Sequence, residues 1–188
     1  MTLFWRKGFH ATSLKDLERG LEMHPGSIYA AFQNKETLFR MALDRYFAGL
    51  RETLGGVVTS GDPVLPQLAH FLRDLHPVMR DDCPLPACFL SKTLSEMPVS
   101  SGDTTQCVAD HVAGIETLFT DIFTEAVRRG ELAPGTDPLR LSRRLQMLLN
   151  GISIYALTPA GLDVARDELG TIARRIEDLG AAGAEAVL

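Results

Sequence analysis

The sequence predicts an all-α fold, and three observations carry that prediction. Apolar residues recur at spacings of three and four almost throughout, no segment alternates with the period of a strand, and turn residues cut the chain into helix-sized pieces. The composition agrees with a folded protein. The chain has 188 residues, 45% hydrophobic and 23% charged, with a net charge of −5, which suits one large domain or two small ones and excludes disorder. No apolar run approaches the ~18 residues of a membrane span, and the start, Met-Thr-Leu-Phe-Trp-Arg-Lys, lacks the layout of a signal peptide. No membrane partner is expected. Three cysteines cannot form a complete set of intramolecular disulfides, which predicts a cytoplasmic protein in a reducing compartment.

Each element has its own signal. Leu3, Phe4 and Trp5 lead into Arg6-Lys7-Gly8, a helix C-terminus with cations and a glycine stop. Thr12 or Ser13 caps a short helix through Leu14, Leu17 and Leu21, with Asp16 completing a Ser-x-x-Asp capping box. Pro25 opens a helix to Phe32. Asn34 caps a longer one whose apolar face runs from Leu38 to Leu50. Breaks are expected at Gly55-Gly56 and at Ser60–Pro63, then a helix through Leu65, Leu68, Leu72 and Leu75 that ends at Pro77. Pro84 and Pro86 lead into a helix carrying Phe89, Leu90, Leu94 and Met97, and Ser100–Thr105 reads as a loop. Three long amphipathic helices complete the chain: Val108 to Ala126; Leu141 to Tyr155, capped by Asp137-Pro138; and Leu162 to Leu179, ended by Gly180.

Charge is unevenly spread along this frame. Residues 1–50 carry seven basic and five acidic side chains, a net +2, and residues 51–188 a net −7. A mildly basic head on an acidic body is compatible with nucleic-acid binding by the head alone.

The segment from Ser13 to Phe39 carries the functional signal. Two short helices joined by a tight turn around Leu21–His24, with a third helix behind them, make a helix-turn-helix. The second helix presents Pro25, Gly26, Ser27, Tyr29 and Ala30 outward, while Ile28, Ala31 and Phe32 turn partly inward. Small residues at a helix start let its free N–H groups approach a phosphate. A Tyr29 hydroxyl and a Lys35 ammonium suit phosphate contacts, and Ser13 and Lys15 belong to the same class. Ala30 can pack on a thymine methyl.

These residues resemble the tetracycline-repressor (TetR/AcrR) family of bacterial transcription regulators. The match comprises Gly8-Phe9, Ala11–Leu14, Asp16-Leu17 and Ser27–Phe32, with Lys35-Glu36-x-Leu38-Phe39, and spans residues 1–45. The rest of the chain fits that family in helix count, order and length. The resemblance implies a helix-turn-helix DNA-binding domain over residues 1–46 and a helical effector-binding and dimerisation domain over 47–188. It implies a repressor released from a palindromic double-stranded DNA operator by a small, mostly apolar effector. Two departures stand out. His24 occupies the cap of the recognition helix, where a serine or asparagine is more usual, and Pro25 cannot donate a hydrogen bond to a base. Both remain DNA-contact candidates with Gly26.

Other readings compete. Phe32 reads as core, whereas the family match makes Tyr29 a phosphate contact. Lys35 at a helix start opposes the helix dipole, which favours a functional reason for it over a solvated lysine. Cys83, Cys88 and Cys107 fit buried small apolar positions. His76, Cys83 and Cys88 match no compact zinc spacing, so no metal or other cofactor is expected. As a redox- or electrophile-sensing thiol, Cys88 near Lys92 is a better candidate than Cys83, which follows two aspartates. Ser91, Ser95, Asp110 and His111 form no catalytic constellation, so no enzyme is expected. A helical interaction module without DNA binding is the remaining alternative.

The effector is expected among Phe71, Leu72, Phe89, Met97, Phe119, Phe123, Met147 and Tyr155, with His76, His111 and Cys88 orienting it. Core packing is the competing reading for each. The helix from Asn34 to Leu54 bridges this region to the head, with Tyr46 and Leu50 as transmitters. A homodimer is expected through the last two helices, which carry apolar positions beyond their seams, such as Leu149 and Ala156, and a small Gly151.

Overall fold

The computed structural model describes residues 1–78, 88–96 and 103–182. The elements are α1 (Thr2–Lys7), α2 (Leu14–Leu21), α3 (Pro25–Phe32), α4 (Lys35–Thr59), α5 (Val64–Val78), α6 (Phe89–Glu96), α7 (Asp103–Arg128), α8 (Pro138–Tyr155) and α9 (Gly161–Ala182), with no strand among the described residues. The all-α prediction holds. Cys83, Met97, Pro84 and Pro86 lie outside the described residues, as does the side chain of His76.

Local chemistry sets most of the boundaries. Gly8 ends α1 at φ +80, a conformation L side chains rarely adopt. Ser13 and Asp16 form the reciprocal capping box, with Ser13 N donating to Asp16 Oδ2 at 2.9 Å and Asp16 N to Ser13 Oγ at 3.2 Å. Lys7 adds an ion pair to Asp16 at 2.6 Å, and these contacts hold the Asp16 carboxyl well below the ordinary carboxylate range. Asn34 accepts from Thr37 N at the start of α4, and Asp137 accepts from Arg140 N at the start of α8 with Pro138 as its first residue.

Four expected boundaries move. α4 continues through Gly55-Gly56 as a single 25-residue helix. A glycine costs a helix interior up to about 1 kcal/mol, but Leu54 and Val57 on either side are buried and anchor that turn. α5 runs to Val78, one residue beyond Pro77. Thr104 and Thr105 belong to α7, not to a loop, because Thr104 is buried and donates to Glu36 Oε1 at 2.6 Å. α9 continues past Gly180 to Ala182.

The body is built on α5 against α9, α7 against α8 and α4 against α7. Side chains near the end of α7 tie the α4–α5 corner. Arg129 donates to the carbonyls of Val58 and Ser60, both at 3.0 Å, and Glu131 accepts from Val64 N and Leu65 N at 2.8 and 2.9 Å. Arg129 and Arg128 both donate to Glu125, which holds that carboxyl down to about 2. One buried cluster runs from Phe4 in the head through Phe39 and Phe89 to Leu179. Phe39 is the hinge of this core. Its ring meets Phe4 at 5.0 Å, Phe9 at 5.0 Å and Phe89 at 5.8 Å, so head and body share one apolar interior.

Candidate functional site

Two sites emerge, a surface on the head and a cavity in the body. On the head, the turn between α2 and α3 passes through Glu22, whose φ of +54 is left-handed, and His24 then takes the cap position of α3. His24 makes no side-chain cap bond, Pro25 has no N–H and Ser27 N donates to His24 O at 3.0 Å, so at the start of α3 it is the Gly26 N–H that is left for an anion. His24, Pro25, Gly26, Ser27, Tyr29 and Ala30 are all exposed, and Tyr29 is half exposed at 50%. Ile28 is buried at 2% and fastens the helix to the head. Ala31 differs from expectation. It is exposed, because only Ile28 and part of Phe32 are needed to cover the short helix's inner face.

Lys15 and Arg19 on α2 are exposed beside His24 in a shallow depression whose other walls include Glu18 and Glu22. Ser13 is at the N-terminus of α2, its hydroxyl engaged with Asp16 Oδ2 at 2.7 Å.

Lys35 has intramolecular partners that its place in the sequence does not show. Its ammonium donates to the carbonyls of Phe9 at 2.9 Å and Thr12 at 3.0 Å and sits 4.5 Å from the Phe9 ring. The cation at the positive end of α4 thus closes the α1–α2 connection with two of its three N–H groups. Thr12 Oγ1 completes that connection by donating to Gly8 O at 2.6 Å. Lys92 on α6, expected beside Cys88, does the same for α1. Its Nζ donates to the carbonyls of Trp5 and Arg6, both at 2.9 Å, and pairs with Glu96.

The cavity encloses about 80 Å³ between α4, α5, α6, α7, α8 and α9. Phe71, Cys88 and Phe119 line it as expected, together with Tyr46 and Leu50 of α4. Its polar wall was missed. Ser91 Oγ donates to Asn150 Oδ1 at 2.7 Å, Gln146 donates to Val112 O at 3.0 Å, and Tyr46 OH lies 3.2 Å from Cys88 Sγ. Gln146, Asn150 and Ser153 are polar residues on the inward side of α8, a pattern that could have flagged a cavity wall.

Six ligand candidates go elsewhere, among them Leu72, which is fully buried in the core. Phe89 and Phe123 are buried at 1% and 0% and fill the core. His111 faces Asp44, 2.9 Å away, and is not part of the cavity. Met147 and Tyr155 are 65% and 53% exposed on the outer side of α8. They form an apolar face there with Leu148 and Ile154, around Gly151. Conversely, Leu149 and Ala156, named as outward positions, point inward: Leu149 lines the cavity and Ala156 is buried. The ammonium expected to activate Cys88 is committed to α1 and Glu96.

Compared with known proteins, residues 1–42 match the family model of bacterial regulatory proteins, tetR family. Residues 64–167 match the model of the tetracyclin repressor-like C-terminal domain. Over 177 residues the chain is 30% identical to the HTH-type transcriptional repressor ComR of Escherichia coli strain K12, covering 93% of this chain and 83% of that protein. Among solved structures, a cysteine mutant of the TetR family regulator CifR, complexed with 26-base-pair double-strand operator DNA, superposes with a TM-score of 0.78 at 25% identity. That match covers 94% of this chain and 90% of that one. Reduced NemR of E. coli gives a TM-score of 0.74 at 20% identity and 89% coverage of both chains, a likeness of fold.

Proposed function

The chain belongs to the tetR family of bacterial regulatory proteins, transcriptional regulators and not enzymes, and from that premise we propose a homodimeric repressor that leaves a palindromic operator when a small guest fills the body cavity. The observation that carries this reading is a single helix, α4, with the recognition helix docked at one end and two cavity-lining side chains, Tyr46 and Leu50, further along. On this reading α3 enters the major groove with Ser27, Tyr29 and Ala30 foremost, and the open start of α3, with Lys15 beside it, meets phosphates. Lys35 and Ser13 act through the turns they hold. The two heads of a dimer occupy successive grooves roughly 34–36 Å apart.

Operator fragments selected from genomic DNA supply the test. Lys15→Ala should lower affinity on operator and random DNA alike and reduce the salt slope by about one ion, read by fluorescence anisotropy at several salt concentrations. An unchanged slope would remove Lys15 from the interface.

The guest is small and mostly apolar, since 80 Å³ holds several waters or a few heavy atoms. It takes its orientation from the Ser91–Asn150 pair. Phe119→Trp should fill that space and abolish release by an identified effector, while operator affinity stays within about threefold of the parent because the effector acts only through its differential affinity for two states. Retained effector response in that variant would place the guest elsewhere.

A further inference from the structure

Outside the cavity, three side chains of metal-ligating type converge between α4 and α7. Cys107 and His111 stand one helical turn apart on α7, and Asp44 of α4 meets them. His111 Nε2 is 2.9 Å from Asp44 Oδ1 and Cys107 Sγ is 4.0 Å from the same oxygen. All three ligand atoms lie within 4.8 Å of one another. The edges of a tetrahedral site with zinc-like bond lengths are about 3.3–3.6 Å, so an ion could enter with shifts of about 1 Å. We propose that Asp44, Cys107 and His111 bind one divalent transition ion of the zinc class per chain, leaving a fourth position for water or an added donor.

The surroundings favour this assignment. Thiolate, imidazole and carboxylate together suit a borderline ion and not calcium or magnesium. The cluster lies in a shallow depression that also includes Asp103 and Asp110, so a hydrated cation can reach it. The opposing charge is Arg40, which pairs with Asp103 at 3.7 Å. The imidazole is already oriented. It lies against the Phe47 ring at 4.8 Å, and that ring rests on Gly114, where a Cβ would come within 2.5 Å of it. With one ligand on α4 and two on α7, a bound ion ties the helix that carries the head to the body. That consequence for DNA rests on the regulator reading above; the ion site does not.

The test uses the full-length, reduced protein titrated with Co²⁺ and then with Zn²⁺ against a chromophoric chelator. The parent should take one ion per chain, and its Co²⁺ form should show a thiolate charge-transfer band and tetrahedral d–d absorption. Cys107→Ser should abolish that band, and Cys107→Ser and Asp44→Asn should each weaken Zn²⁺ at least about tenfold, since even outer-sphere losses cost that much. Metal-free melting curves show that each variant is folded. An unchanged cobalt spectrum and Zn²⁺ affinity in Cys107→Ser, or no binding by the parent at micromolar Zn²⁺, would overturn the site. Operator binding measured in parallel with Zn²⁺ and with chelator separates the two readings. Loss of the titration alone removes the ion site and leaves the regulator, and loss of operator binding in both conditions does the reverse.

Discussion

A double variant carrying Leu148→Glu and Tyr155→Glu is expected to sediment as a 20.6 kDa monomer and to lose operator affinity by about 10²–10⁴-fold. Both side chains are exposed in the isolated chain, at 38% and 53%, so the charges cost the protomer's own packing little. They lie on the outer side of α8 with Met147 and Ile154, at 65% and 42%, a concentration of large apolar groups that a solvent-facing helix has no reason to keep. Gly151, at the centre of this face, meets nothing within 4 Å of a Cβ position and allows a second helix close approach. The outer side of α9 is mostly charged, with Val164 the large apolar exception, so the expected interface is carried chiefly by α8. In a two-fold assembly each substitution acts twice, placing four carboxylates in one contact. Once one head is bound, a dimer offers the second at high effective concentration, and separating the chains removes that gain. Sedimentation velocity with circular dichroism decides the matter. A folded variant that stays dimeric would remove α8 from the interface.

Phe39→Ala should cost about 3–5 kcal/mol of folding stability, a large share of the 5–15 kcal/mol typical of a domain. The ring is 1% exposed and touches aromatic rings from α1, from the loop after it and from α6. Truncation leaves a cavity where head and body interiors join, and those neighbours are themselves large and constrained. Urea unfolding followed by far-ultraviolet dichroism and by Trp5 fluorescence should give coincident transitions in the parent, because Trp5 stacks on Phe89 at 5.9 Å across the same junction. A loss below about 1 kcal/mol would show that Phe39 is not the join.

Short-range chemistry was the most legible part of this fold. Caps at Ser13, Asn34 and Asp137 and the stop at Gly8 involve residues within a few positions of one another, so the local sequence contains both partners. The helix through Gly55-Gly56 was not legible, because its persistence depends on the burial of Leu54 and Val57 against distant elements. Lys35 shows the same limit at a site residue. Its partners are the carbonyls of Phe9 and Thr12, more than twenty residues away. For the ligand candidates, periodicity identified apolar faces but not what covers them. α8 is apolar on both sides, and only the packing of α7 and α9 shows that Leu145 faces inward while Met147 and Tyr155 face out. The helix-turn-helix was readable because its exposed residues are specified one by one.

The uninterrupted course of α4 gives it leverage. Lys35 and Val57 are 22 residues apart on that helix, about 33 Å at 1.5 Å per residue. A tilt of about 5° pivoting at the buried Val57 end would swing the Lys35 end, and the recognition helix docked there, through about 3 Å. That is the full length of a hydrogen bond. Across a two-fold axis the opposite heads move oppositely, so the span between them changes by about 6 Å in a groove spacing of about 34 Å. Phe39 lies 18 residues from Val57 on the same helix, so that tilt also carries its ring about 2 Å past Phe89 of the body, and the aromatic junction must repack whenever the heads move.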